Sequence, residues 1–158
     1  MTRLAILFLA ACAGAPDGLD TAPPVEVPTE GTASFRFAID EDYAAAMSEP
    51  PTGIFYGGIF HEADVTAVGV EDEGLSIEDF AVDLALTLDG AFTEPAHTSG
   101  PLPIGKLYVL GYLDSDVNGP GTGPDQGDAV TKPGTDHRIE ILGGQDILAD
   151  VVLDLLMP

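Results

Sequence analysis

Tryptophan is absent, cysteine occurs once, and only five of the 158 residues are Lys or Arg. Each scarcity excludes something. With Cys12 alone, no disulfide forms within the chain. Phosphate backbones are held by clusters of Lys and Arg, so no nucleic-acid partner is expected. The longest apolar run near the N-terminus, Leu4 to Ala11, falls well short of the about 20 residues that a membrane-spanning helix needs. His61, His97 and His137 stand far apart, and no G-x-S-x-G elbow, phosphate-binding loop, H-E-x-x-H or C-x-x-C pattern occurs. No catalysis is therefore expected. What the chain does have is acid: 27 Asp and Glu, for a formal net charge of −22. Such a surface repels anions and attracts divalent cations. The apolar fraction of 45% supplies one core, and the length suits one domain.

The N-terminus reads MTRLAILFLAACAGAPDGLD. Arg3, an apolar run and then small residues make the pattern of a secretory signal. Leu9-Ala10-Ala11-Cys12 resembles the lipobox of bacterial lipoproteins. That resemblance implies cleavage before Cys12, two acyl chains on its sulfur and acylation of the new N-terminus. Several chains anchor a protein stably where one alone would not. Residues 1–11 are thus expected to be a signal peptide, and a membrane is the expected partner through Cys12. Ala13, not an acid, follows the cysteine, which resembles the Gram-negative pattern for the outer membrane. The expected location is the cell envelope. Residues 12–31 are rich in Pro, Gly, Ala and acids and show no apolar period, so they read as a flexible linker.

From residue 32 the apolar residues recur with period two. Phe35, Phe37 and Ile39 alternate with small or polar residues, as do Phe80 to Leu88 and Ile147 to Leu155. Ile54–His61, with its Gly57-Gly58 pair, suggests a strand with a bulge or a close approach. Val65–Val70 is expected to pair with it. Lys106–Leu113 is apolar on both faces, as in a central strand, and Arg138–Leu142 is a short strand. Asp40 to Met47 suits one or two helical turns or a loop. Residues 32–158 are therefore expected to form an all-β domain, a Greek-key antiparallel β-sandwich of about seven strands.

The stretch Gly100–Gly119 (GPLPIGKLYVLGYLDSDVNG), with Pro124–Val130, resembles carboxypeptidase-regulatory-like and transthyretin-like β-sandwich modules of exported bacterial proteins. The insert at Pro120 to Gly123 departs from their pattern. The resemblance implies a structural or binding unit. Within it, Asp114, Asp116 and Asn118 are spaced two apart, Gly119 follows, and Asp125 falls at the twelfth position counted from Asp114. That is the ligand spacing of an EF-hand loop, here set between strands. Asp128 adds a carboxylate. Asp, Asn and Gly also favour plain turns. Four carboxylates in one loop repel one another, so calcium is the expected cofactor, held by Asp114, Asp116, Asn118, Asp125 and Asp128. No His or Cys in the loop suits a transition metal.

The functional expectation is a lipid-anchored structural or interaction module, braced by calcium, with an unidentified protein or carbohydrate partner. The alternative is a carbohydrate- or small-solute-binding lipoprotein using Tyr56, Tyr108, Tyr112, Phe55 and Phe60, although core packing also accounts for these rings.

Overall fold

The computed structural model describes residues 26–71, 75–119, 123–134 and 137–157. The expected signal peptide, Cys12 and most of the linker lie outside them. The elements run β1 (Glu30–Ile39), α1 (Glu41–Ala44), β2 (Thr52–His61), a 3-10 turn (Glu62–Asp64), β3 (Val65–Thr66), β4 (Gly69–Val70), β5 (Glu78–Ala85), β6 (His97–Thr98), β7 (Leu102–Pro103), β8 (Gly105–Asp114), β9 (Ala129–Val130), β10 (Arg138–Ile141), β11 (Asp146–Leu153) and β12 (Leu155–Leu156).

Alternation decides the faces. Successive strand side chains point opposite ways, so Phe35, Phe37 and Ile39 share one face of β1, and all three are buried. Phe55 and Ile59 on β2, Leu107, Val109 and Leu113 on β8, and Ala149, Val151 and Leu153 on β11 do the same. One sheet sets β11, β1 and β6 in order, with β7 also on β1; the other sets β12, β9, β8, β2 and β5, with β10 also on β8. Phe37 from the first meets Phe55 of the second at 4.9 Å between ring centroids, and Phe35 stacks on Phe80 at 5.8 Å. The protein is an all-β sandwich, and neighbours in each sheet are seldom consecutive in sequence.

The pairing is not antiparallel throughout. β1 and β11 run parallel in continuous register from Thr32↔Asp146 to Ile39↔Leu153. The β10–β11 turn carries the chain from one sheet to the other, so β11 arrives in the direction of β1. Val65–Val70 does not pair with β2. The 3-10 turn diverts it, and β3 pairs with β4 as a small hairpin of its own. β1 begins two residues inside the expected linker, because Glu30 and Gly31 pair with Pro103 and Leu102. α1 is a single turn, with Asp40 Oδ1 accepting from the Asp42 amide at 2.9 Å.

The β2 glycines make close approaches, not a bulge, since β2 pairs in unbroken register with both β5 and β8. A Cβ on Gly57 would lie 2.5 Å from Phe55 Cε1, and one on Gly111 would lie 2.3 Å from the Tyr56 carbonyl oxygen. The Phe55 ring fills the room that the two missing side chains leave.

Candidate functional site

β8 delivers Asp114 at its last position, opposite Ile54 of β2. The side chain is fully buried. Its Oδ1 accepts from the Asn118 amide at 3.2 Å and its Oδ2 from the Gly119 amide at 2.9 Å. Burial pushes this carboxyl upward, but the amides of Gly119, Asn118 and Val117 outweigh burial and hold it below the ordinary Asp value. The turn that brings those amides round puts Val117 at φ 57, a conformation that a β-branched residue rarely adopts. Gly119, at φ 103, completes it.

Asn118 ties the rest together. Its Nδ2 donates to Asp116 Oδ2 at 3.2 Å and also to Asp125 Oδ2, while its backbone amide donates to Asp116 Oδ1 at 3.1 Å. Asp128 stands apart. It is buried, and its oxygens accept from the Ser115 amide at 3.1 Å and the Asp125 amide at 3.0 Å. It staples the two limbs of the loop instead of facing Asn118. Among the described residues, no three His, Cys, Asp or Glu side chains gather as ligands around one point. The structure brings Asp116 and Asp125 to one amide and turns Asp114 and Asp128 onto backbone N–H groups.

Among the described residues, the hard donors that converge are two carboxylates and one side-chain amide. The Asn118 amide hydrogens stand where two carboxylates converge and supply positive charge there. Turning that amide over would present an oxygen instead, giving the all-oxygen set that calcium takes.

Other polar pairs lie outside the expected site. His137 is buried; its Nε2 meets Asp154 Oδ2 at 3.1 Å, and Asp154 Oδ1 accepts from the Lys132 amide at 2.7 Å. Thr131 Oγ1 accepts from the Gly111 amide at 2.8 Å. His97 Nε2 meets Glu78 Oε1 at 2.8 Å and its ring stacks on Phe80 at 4.2 Å, linking the two sheets. No sequence signal marks these pairs, since Asp154 fits the Ile147–Leu155 alternation as an outward position.

No protein-family model matches the chain. Neither curated proteins nor solved structures give a match.

The candidate sugar-facing rings divide. Phe55 and Tyr108 are buried, whereas Tyr56, Phe60 and Tyr112 are half-buried. Tyr56 and Tyr112 pair at 5.6 Å on the outer face of the β8 sheet. Burial raises the Tyr112 phenol above the usual tyrosine range, and the nearby Asp114 charge adds to this. A groove of about 450 Å³ runs beside Tyr112, between the β3–β4 hairpin and the Pro124, Val130 and Leu155 side chains.

Proposed function

We propose that this chain is a lipid-anchored cell-envelope protein whose β-sandwich serves as a structural or interaction module. In this reading Cys12 carries the anchor, and a calcium ion braces the loop from Asp114 to Asp128. Asp116, Asp125, Asn118 and Asp114 would hold the ion, with Asp128 shaping the loop behind them. The ion would offset carboxylate repulsion and take no part in a reaction.

The observation that carries the reading is the convergence of the Asp116 and Asp125 carboxylates on Asn118 at the end of β8. The described chain enters at Glu26, and β1 and β7 pair beside it at Glu30 and Pro103. β8 starts next to that corner and carries Asp114 about 30 Å away, at the rise per residue of a strand. The loop therefore lies at the end of the sandwich away from Glu26, and in this reading that end faces away from the anchor.

Extracellular modules bind calcium with dissociation constants of about 10⁻⁴–10⁻³ M. At about 1 mM calcium and a constant of about 0.1 mM, binding adds roughly 1.4 kcal/mol to stability. Melting in chelator and in millimolar calcium, at matched ionic strength, is the test. The variant for comparison is Asp116→Asn with Asp125→Asn, because Asp114 and Asp128 support the loop with or without an ion. A rise of a few degrees in the parent and none in the variant is expected. Equal shifts would reduce the loop to a hydrogen-bonded turn.

A second reading, a carbohydrate- or small-solute-binding lipoprotein, draws on the Tyr56–Tyr112 pair and the adjoining groove. Aromatic faces beside polar groups suit sugar rings. Quenching of tyrosine emission by one glycan class, abolished in Tyr112→Ala, would favour it.

A further inference from the structure

Exposed aliphatic side chains collect at the corner where the described chain begins. Val27 is 77% exposed, Ile104 48% and Leu142 46%. They come from three separate segments that meet there. The Ile104 amide donates to the Thr29 carbonyl at 3.3 Å. A Cβ on Gly143, next to Leu142, would touch the Pro28 carbonyl oxygen at 2.2 Å and Ile104 Cδ1 at 3.0 Å. These side chains lie outside the sandwich core and are open to solvent.

We propose that the Val27–Ile104–Leu142 corner rests on the surface of a phospholipid bilayer, as a second contact beside the acyl anchor. The proposal depends on the reading of Cys12 as lipidated. The described chain begins at this corner. Residues 13–25 separate Cys12 from Glu26, and even fully extended that length reaches only about 45 Å. A domain of this size is roughly 35–40 Å across. The tether thus keeps the body within about one molecular diameter of the bilayer, and Val27 is the first apolar residue past its end. A contact too weak to hold a free protein is effective once tethered, because tethering raises the local concentration to about the millimolar range. A second copy of the chain is a poor occupant. Three partly exposed side chains fall far short of the about 800 Å² per partner that a stable interface buries. Charge narrows the lipid class. Glu26 and Glu30 are exposed beside the patch and repel anionic headgroups, so the fitting surface is a zwitterionic one.

The chain contains no tryptophan, so each of Ile104→Trp, Leu142→Trp and Phe92→Trp introduces a unique indole. Phe92 is the control: its neighbour Thr93 bonds to Phe37, toward the far end of β1. The full-length processed proteins are reconstituted in zwitterionic vesicles containing brominated phosphatidylcholine. Mass spectrometry of the N-terminal peptide reports acylation of Cys12 independently. The expected result is quenching several-fold stronger at positions 104 and 142 than at 92. Adding Val27→Glu should bring the quenching at 104 down towards the control. Equal quenching at all three positions with Cys12 acylated would overturn the docking and leave the anchor standing. An unacylated Cys12 would overturn both.

Discussion

Asp114 shows what a single acid does at a strand end. It is fully buried, yet it stays ionised because backbone amides converge on it. Its proton affinity is lower folded than unfolded. The stability this contributes is complete above the ordinary Asp value and is lost as pH falls through the lower folded value. Asp114→Asn should therefore lower the melting temperature at pH 7, and the gap to the parent should close in acid below about pH 4. A gap that stays constant down to pH 2 would mean the amides are not held by charge. The spacing of Asp114, Asp116, Asn118 and Asp125 was visible in the sequence because local turns impose it. The separate task of Asp128 was not, because its partner Ser115 lies 13 residues away. The His137–Asp154 pair was hidden for the same reason, being a long-range contact without a local pattern.

At the scale of elements, period two marked β1, β5 and β11 because each buries one face, while apolar runs without clean alternation marked β2, β8 and β10. Neither said anything about direction, so the parallel pairing of β1 with β11 was not legible. The two-residue strands β6, β7, β9 and β12 are too short to show any period. Leu155 kept the alternation on paper, but Asp154 is bonded to Lys132 and His137 and the chain crosses to β9 there. Glycine within a strand was read as a bulge or a close approach, and packing chose the second. Gly111→Ala forces a methyl group against the Tyr56 carbonyl and the Phe55 ring, so we expect about 1–3 kcal/mol of destabilisation in denaturant melts. A neutral result would mean that β2 and β8 can separate without loss. Arg36 and Asp150, paired across the parallel strands at 2.6 Å, add little to this, because both are exposed.

For the whole molecule, the net charge of −22 sets the response to salt. Raising ionic strength from about 0.01 M to 0.15 M shortens the screening length from about 30 Å to about 8 Å. Self-repulsion then falls, and the melting temperature should rise with sodium chloride alone, before any calcium is added. A flat or falling response would mean that the acids are already neutralised by local partners.

The parallel pair has a mechanical side. β1 follows directly on the stretch leading to Cys12, and β11 lies beside it along its length, running the same way. A pull between an anchored N-terminus and a load gripping the far end of the sandwich runs along both strands. β1 could then leave only by sliding past β11 and breaking its whole row of hydrogen bonds together. A load applied at the start of β11, at Asp146 beside Thr32, would instead peel them one by one. If Cys12 carries the proposed anchor, the pair resists a load on the far end of the sandwich and yields to one on the β10–β11 turn.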